Sequence, residues 1–481
     1  MTWYEYNDDR DLTRQITNDG MAVYQYDANH NVTRVDYYTY SGTLNYTAST
    51  YSGTGISSDN ALLKYETSYT YNTYGLPTAT STVSEDGTLT SSTTYDTGSS
   101  SRTFGAVLTE TDSLGRVTRY FYDSKNGDLK AVINPDETGL VYTYDDLGNL
   151  KLVEPAMYDS SSYAEESYDS NTSSASATYN YNAQNRLQSI VTESTTYHFT
   201  YDTFGNSTDV TVGTNNTLAS YEYNANNGKL STMTYGNGTV VEYVYDELDR
   251  VAEVWYTENS IRTKAYSYEY DANGNLYRFN DHTAGHVHVY KYDLNGNMLM
   301  AVEYAEDDFY NKFSTDITYD TENRPTYVYY GFDYADPTGG NDATFIYDYS
   351  YNDDSTLNKL LIKQNSSTVV TITPIYDALS RVTTQTNKVG SATNTINYQF
   401  KANGSNTSAQ VSQMTSTVGS TTSTYNYTYD ENGNITLITD ASGNTLYRYQ
   451  YDDLGQLTRE DNNVTDESDV VIRMDSGRIV S

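Results

Sequence analysis

Residues 268–279 read YEYDANGNLYRF, an alternating aromatic run, then Asp271-Ala-Asn-Gly274, then Asn275, Leu276 and a second alternating run. Near-copies recur as YKYDLNGNML (290–299), YTYDENGNIT (427–436) and YTYDDLGNLK (142–151). Rings at i, i+2 and i+4 with polar residues between them are the signature of a strand with two unlike faces. In D-x-N-G the Asp carboxylate accepts a nearby backbone N–H, which favours the first position of a type I turn. The Gly then takes the left-handed conformation that closes a hairpin through a bulge. Where Gly is missing, Asn185, Asp249 and Asn323 stand in its place, and both residue types tolerate positive φ. Ser380 in YDALSRV departs from that rule.

Aligned on the aromatic-Asp step, the series runs Tyr122, Tyr144, Tyr181, Tyr201, Tyr223, Tyr245, Tyr270, Tyr292, Tyr319, Tyr376, Tyr429 and Tyr451, with several intervals of 22 residues. Tyr6, Tyr26, Tyr71 and Tyr351 extend it. A second turn separates repeats: TDSLGRV (111–117), NPDETGL (134–140) and TDASGNT (439–445). Strand, turn, strand, turn is an antiparallel meander, and strand twist curls so long a ribbon into a spiral. The fold expected is therefore all-β: one array over residues 1–481, read as a stretch of a longer chain. Leu150, Leu187, Leu230, Val251, Leu276 and Leu457 open the returning strands and pack beside the tyrosines. Ser/Thr-rich stretches at 78–103, 158–178 and 403–424 are expected as longer loops or irregular strand pairs, and 330–346 as an insertion.

Composition narrows the function. The chain of 481 residues has 55 Tyr, 10 Phe and 2 Trp, so phenol rings must supply most of the buried area. Asp and Glu number 64 against 28 Lys and Arg, a formal charge of −36. That argues against nucleic acid and anionic membranes as partners. Zero cysteines exclude disulfides and thiolate chemistry. No apolar run is long enough to span a bilayer as a helix, and MTWYEYNDDR is not a signal peptide.

At this length the motif is recognisable. TRYFYDSKNGDL (118–129), YTYDDLGNL (142–150) and YQYDDLGQLTRE (449–460) resemble the YD repeats of the RHS family, which includes bacterial polymorphic toxins, Tc toxin cocoon subunits and teneurins. The resemblance implies a continuous β-strip spiralling into a hollow shell, export to the medium or cell surface, and an encapsulated or fused effector as partner. In toxin members a core after the repeats, with an Asp-Pro-x-Gly motif, cuts the effector free. The single DPTGG (336–340) lies mid-chain with repeats at Tyr376, Tyr429 and Tyr451 after it, so Asp336 is read as a turn residue.

Other chemistry is weighed against this. DANGNLYRFNDH (271–282) fails as an EF-hand, with Gly fourth and His282 twelfth; carboxylates from stacked turns are the remaining cation reading, and the turn alone is favoured. HTAGHVH (282–288) puts His286 and His288 on one strand face, short of a full ligand set, and the three histidines are read as exposed on loops. There is no Gly-x-Ser-x-Gly elbow and no phosphate loop. No catalytic, cofactor or metal residue is assigned. The expectation is a structural wall of a shell or filament, with self-association open to it. The alternative is a surface glycan-binding module using exposed tyrosines, for which only Trp3 and Trp255 supplement the phenols.

Overall fold

The computed structural model describes residues 3–17, 20–40, 61–158, 168–170, 176–214, 216–333, 345–352, 354–452, 455–464, 473–475 and 478–480. Among them are 39 strands and no helix. Consecutive strands pair antiparallel through tight turns, as the alternation predicts. The chain forms two compact units. One holds Met1–Ser176, Tyr351–Lys359 and Ile372–Ser481; the other holds Ala177–Ser350 and Leu360–Thr371.

The D-x-N-G turn is built as its chemistry dictates. Asp271 accepts the N–H groups of Asn273 and Asn275 on Oδ1, both at 2.9 Å, while the Asn275 side chain donates to Oδ2 at 3.2 Å. Gly274 has φ +88° and its N–H reaches the Asp271 carbonyl at 3.0 Å. The register then slips between Glu269 and Tyr270, leaving Tyr277 without an opposite residue; this is the bulge. Asp145, Asp246 and Asp293 repeat the pattern with Asn149, Arg250 and Asn297. The stand-ins for Gly behave alike: Asn185, Asp249 and Asn323 have φ of 62°, 61° and 60°. Ser380 also sits there at 61°, and Lys64 Nζ holds its Oγ at 3.3 Å, so the exception keeps the backbone and gains a partner.

Many hairpins are tied to the one before by a bond that the sequence did not announce. The ladder between Val251–Glu258 and Ile261–Tyr270 ends at Glu253 opposite Ser267, short of the Tyr-Asp turn. No strand N–H faces the Val251 carbonyl there. The phenol of Tyr270 fills the gap and donates to that carbonyl at 2.9 Å. Tyr245 does the same for Leu230 at 2.9 Å, Tyr201 for Leu187 at 2.7 Å and Tyr319 for Met298 at 2.8 Å. Tyr26 caps Leu12, Tyr71 caps Val32, Tyr95 caps Pro77 and Tyr451 caps Ile435. Where the fifth turn residue is Arg, its guanidinium adds a stack: Arg250 lies 4.3 Å from the Tyr270 ring centroid.

Packing is that of a ribbon. Stripe residues such as Tyr266, Tyr268 and Tyr270 are half-buried while Glu269 on the other face is exposed. Fully buried apolar residues are few and scattered, among them Ile16, Ile133, Ala265 and Val287. The one compact cluster, Ala131, Ile133, Val141 and Ala156 under Phe121 and Tyr158, lies in the first unit.

Two expectations need correcting. The stretches 78–103 and 403–424 are mostly regular: Pro77–Ser84 pairs with Gly87–Tyr95, and Asn406–Val418 with Thr421–Tyr429. Threonine's β-branch suits a strand, and hydroxyl pairs replace apolar contacts, as in Thr80 with Ser91 at 2.7 Å and Thr417 with Thr422 at 2.9 Å. Irregularity is confined to the loop 96–106 and to register shifts around Phe400. Most of 158–178 and 330–346, with Asp336, lies outside the described residues.

Replacing Tyr270 by Phe should cost roughly 0.5–1.5 kcal/mol in urea unfolding, because the Val251 carbonyl loses its donor. The pH profile follows from both turn groups. Burial holds the phenols of Tyr245, Tyr270 and Tyr319 above their ordinary range. Their contribution is thus intact below about pH 10 and lost as pH climbs through the raised values. The side-chain amide and then the backbone N–H of Asn149 and Asn297 hold Asp145 and Asp293 below the usual carboxylate range. That contribution is present above about pH 4 and lost as pH falls further. Stability measured against pH should therefore be a plateau with both ends falling, and a flat alkaline limb would contradict the phenol assignment.

Candidate functional site

An antiparallel meander places its turns alternately on two edges. One edge of this ribbon carries the Tyr-Asp turns, and the other carries the connecting turns. In the first unit an earlier stretch (61–158) and a later one (354–359 with 372–462) meet edge to edge. Connecting turns of the earlier stretch receive Tyr-Asp turns of the later one, through residues 289 to 296 apart in sequence. The ribbon winds back on itself there, as the expected spiral requires.

The third residue of the Tyr-Asp turn makes this seam. Asp354 is salt-bridged to Lys64, with both side chains only 13% and 12% exposed. Leu379 is half-buried and borders a shallow groove that Tyr65, Thr67, Thr80, Thr82 and Leu89 also line. Asn432 donates its amide to Asp136 at 2.6 Å and accepts the Asp136 backbone N–H at 3.2 Å. Acid meets base, and amide meets carboxylate. Around them Asp86 accepts the Ala378 N–H at 2.6 Å, Ser113 donates to the Thr407 carbonyl, and Asn406 pairs in parallel with Thr88. Arg381 ties the later edge together, reaching Asp377 at 2.7 Å, Thr407 at 2.7 Å and the Ser408 carbonyl at 2.6 Å. Gly433 is required by its backbone, with φ +93°, and the Arg116 guanidinium and the Gln410 amide pack against it. Burial opposes ionisation of Asp354, yet the Lys64 ammonium and the Thr356 hydroxyl hold its carboxyl below the ordinary range.

Beside the seam lies an open polar cleft of about 650 Å³. Its walls include Ser92, Glu110, Arg116, Asn134, Asn432 and Asn434, and no His, Lys or Cys lines it. Hydroxyls, amides and an Arg–Asp pair can hydrogen-bond water or a polar ligand.

The cation reading of the turns finds the Asp oxygens engaged by their own turns, as at Asp271 and Asp293. Among the described residues no cluster of three or more His, Cys, Asp or Glu is placed to hold a metal. His286 and His288 do share a face, but on the strand His286–Tyr292 and half-buried, so the loop-exposed reading is corrected. Both approach Glu303, at 2.6 and 3.9 Å, while His282 turns to Glu306 at 3.2 Å. Alternation carried the first pair onto one side, and their carboxylate partners come from the neighbouring strand. Trp255 is covered by Arg262 at 3.9 Å and Lys264 at 4.9 Å. Among the described residues no helix is long and apolar enough to cross a membrane.

A repetitive all-β ribbon of bulged Tyr-Asp hairpins, wound edge to edge, defines a class of β-spiral proteins. Residues 429–463 match the family model described as RHS Repeat, and they span one Tyr-Asp hairpin and the opening of the next. The same turn and the same phenol bond recur at other hairpins along the chain, which are similar in build to the matched repeat. No curated protein matches the sequence. Among solved structures it is similar to the crystal structure of TcdB2-TccC3, at 12% identity and a TM-score of 0.38 over 96% of this chain and 31% of that one. TcdB2-TccC3-Cdc42 gives 13%, 0.38, 96% and 31%. A porin-like protein from Bacteroides uniformis gives 12% and 0.11, over 63% of this chain and 91% of that one. The chain thus spans about a third of the length of the TcdB2-TccC3 chains.

Removing one partner of the seam ion pair should be costly. Asp354→Ala leaves Lys64 nearly enclosed without its countercharge, and about 3 kcal/mol of stability should go. Lys64→Met combined with Asp354→Leu should recover most of it. Hydrogen exchange of Asp354→Ala should show new opening at 61–70 and 377–381 while distant hairpins keep their protection; uniform loosening would contradict a seam.

Proposed function

We propose that this chain is a structural wall, a β-spiral strip of an RHS-type extracellular shell or filament that encloses or displays another domain and performs no chemistry of its own. The observation that supports it most is the seam. A ribbon that reads its own edge with matched side chains, Lys64 to Asp354 and Asp136 to Asn432, gains from being wound into a continuous surface. The composition agrees: an acidic, cysteine-free chain suits export to the medium or the bacterial surface. An effector, encapsulated or fused, is the partner this role calls for, with neither nucleic acid nor membrane insertion.

The glycan-binding alternative has less support. The repeat tyrosines spend their hydroxyls on backbone carbonyls, and the exposed ring of Tyr74 packs edge-on against Phe104 at 4.8 Å. Small-angle scattering with cryo-EM of the secreted protein tests the wall reading, for which a hollow curved wall is the expected result. A solid extended rod, or glycan-array binding that is abolished by Tyr74→Ala, would favour the alternative.

A further inference from the structure

The seam gives a standard for what the edges of this ribbon look like when covered. At Leu379 the third turn residue is half-buried against the opposite edge, and Asp377, Thr407 and Ser408 beside the seam are buried. The second unit, taken by itself, presents the same two edges uncovered. On its Tyr-Asp edge Phe204 and Leu248 hold the third turn position and are 89% and 72% exposed, and Leu294 beside that position is 99% exposed. On its connecting edge Ile261 is 69% exposed, with Leu218 and Tyr235 also open to solvent. Large apolar side chains at turn tips contribute nothing to their own hairpins and lower solubility, and on the Tyr-Asp edge Phe204, Leu248 and Leu294 recur at alternate turns, with polar tips at Asn226 and Asn273 between them.

We propose that the two edges of the second unit bind each other between copies, the Tyr-Asp edge of one molecule docking on the connecting edge of the next. The occupant is a second copy of this chain because the chain already demonstrates both halves of the contact: in the first unit its own Tyr-Asp turns sit on its own connecting turns. The chemistry also matches. Leu379 meets Tyr65 and Leu89 in the first unit, and Phe204, Leu248 and Leu294 meet Ile261, Tyr235 and Leu218 here. The two surfaces are different patches, so the contact is heterologous and propagates head to tail instead of closing as a symmetric dimer. Each copy carries a formal charge of −36, so repulsion opposes the stacking and added salt strengthens it. The inference rests on the ribbon reading but not on enclosure, since a hollow wall seen by scattering would survive its failure.

Sedimentation velocity of the full chain over a wide concentration range, at low and high salt, tests it. The expected result is concentration-dependent growth through dimer to longer species, enhanced by salt. Phe204→Asp with Leu248→Asp on one edge, and Ile261→Asp on the other, should each weaken association by roughly tenfold or more. Each variant alone should stay monomeric, and mixing the two should restore association that stops at two copies, because each then contributes one intact edge. These side chains are exposed, so circular dichroism and the urea midpoint should be unchanged. A wild-type chain that remains monomeric throughout overturns the proposal. So does association that neither variant weakens, or a mixture of variants that fails to pair.

Discussion

Everything in this fold depends on a phenol hydroxyl reaching a carbonyl that the sheet has left behind. Bulged turns splay the strands at the Tyr-Asp edge, so the ladder between neighbouring hairpins stops early, as between Val251–Glu258 and Ile261–Tyr270. A half-buried carbonyl without a donor would tax every repeat. Tyr is the one ring that fills the wedge with apolar area and brings a donor to its far end. Phenylalanine would pack and leave the carbonyl bare; serine would bond and leave the wedge empty. Part of the tyrosine excess is thus a requirement that recurs at many of the hairpins, with the rest of the stripe laid beside it.

The hairpin was legible because its determinants are local. Asp271, Gly274 and the alternating rings each act within a few residues, and their meaning does not change with context. The Ser/Thr-rich strands were misjudged because strand formation was weighed by apolar burial, whereas Thr80 and Ser91 stabilise their pair through hydroxyls. The phenol bond links Tyr270 to Val251, nineteen residues back, across a gap that appears only once the register is known. Ser380 could not be explained for a similar reason, since its partner Lys64 stands 316 residues away.

The seam was hidden at the one position of the turn that the hairpin leaves free. Asp fixes the first place, a residue tolerant of positive φ the fourth, and Asn or Arg often the fifth. The third varies: Asp354, Leu379, Asn432, Phe204 and Leu248 all occupy it. Variation inside an otherwise strict motif is what a position devoted to outside contacts would show. The sequence holds that signal, but which contact each residue makes depends on which edge lies opposite, and only the winding decides that.

The phenol bonds all point one way. Each tyrosine that makes one reaches back to the hairpin made before it, so a hairpin capped in this way is finished by its successor. A chain leaving the ribosome can therefore set its hairpins in order, each new one closing the last, while contacts across nearly three hundred residues wait until the winding is long enough. Assembly acquires a direction from the geometry of a single side chain.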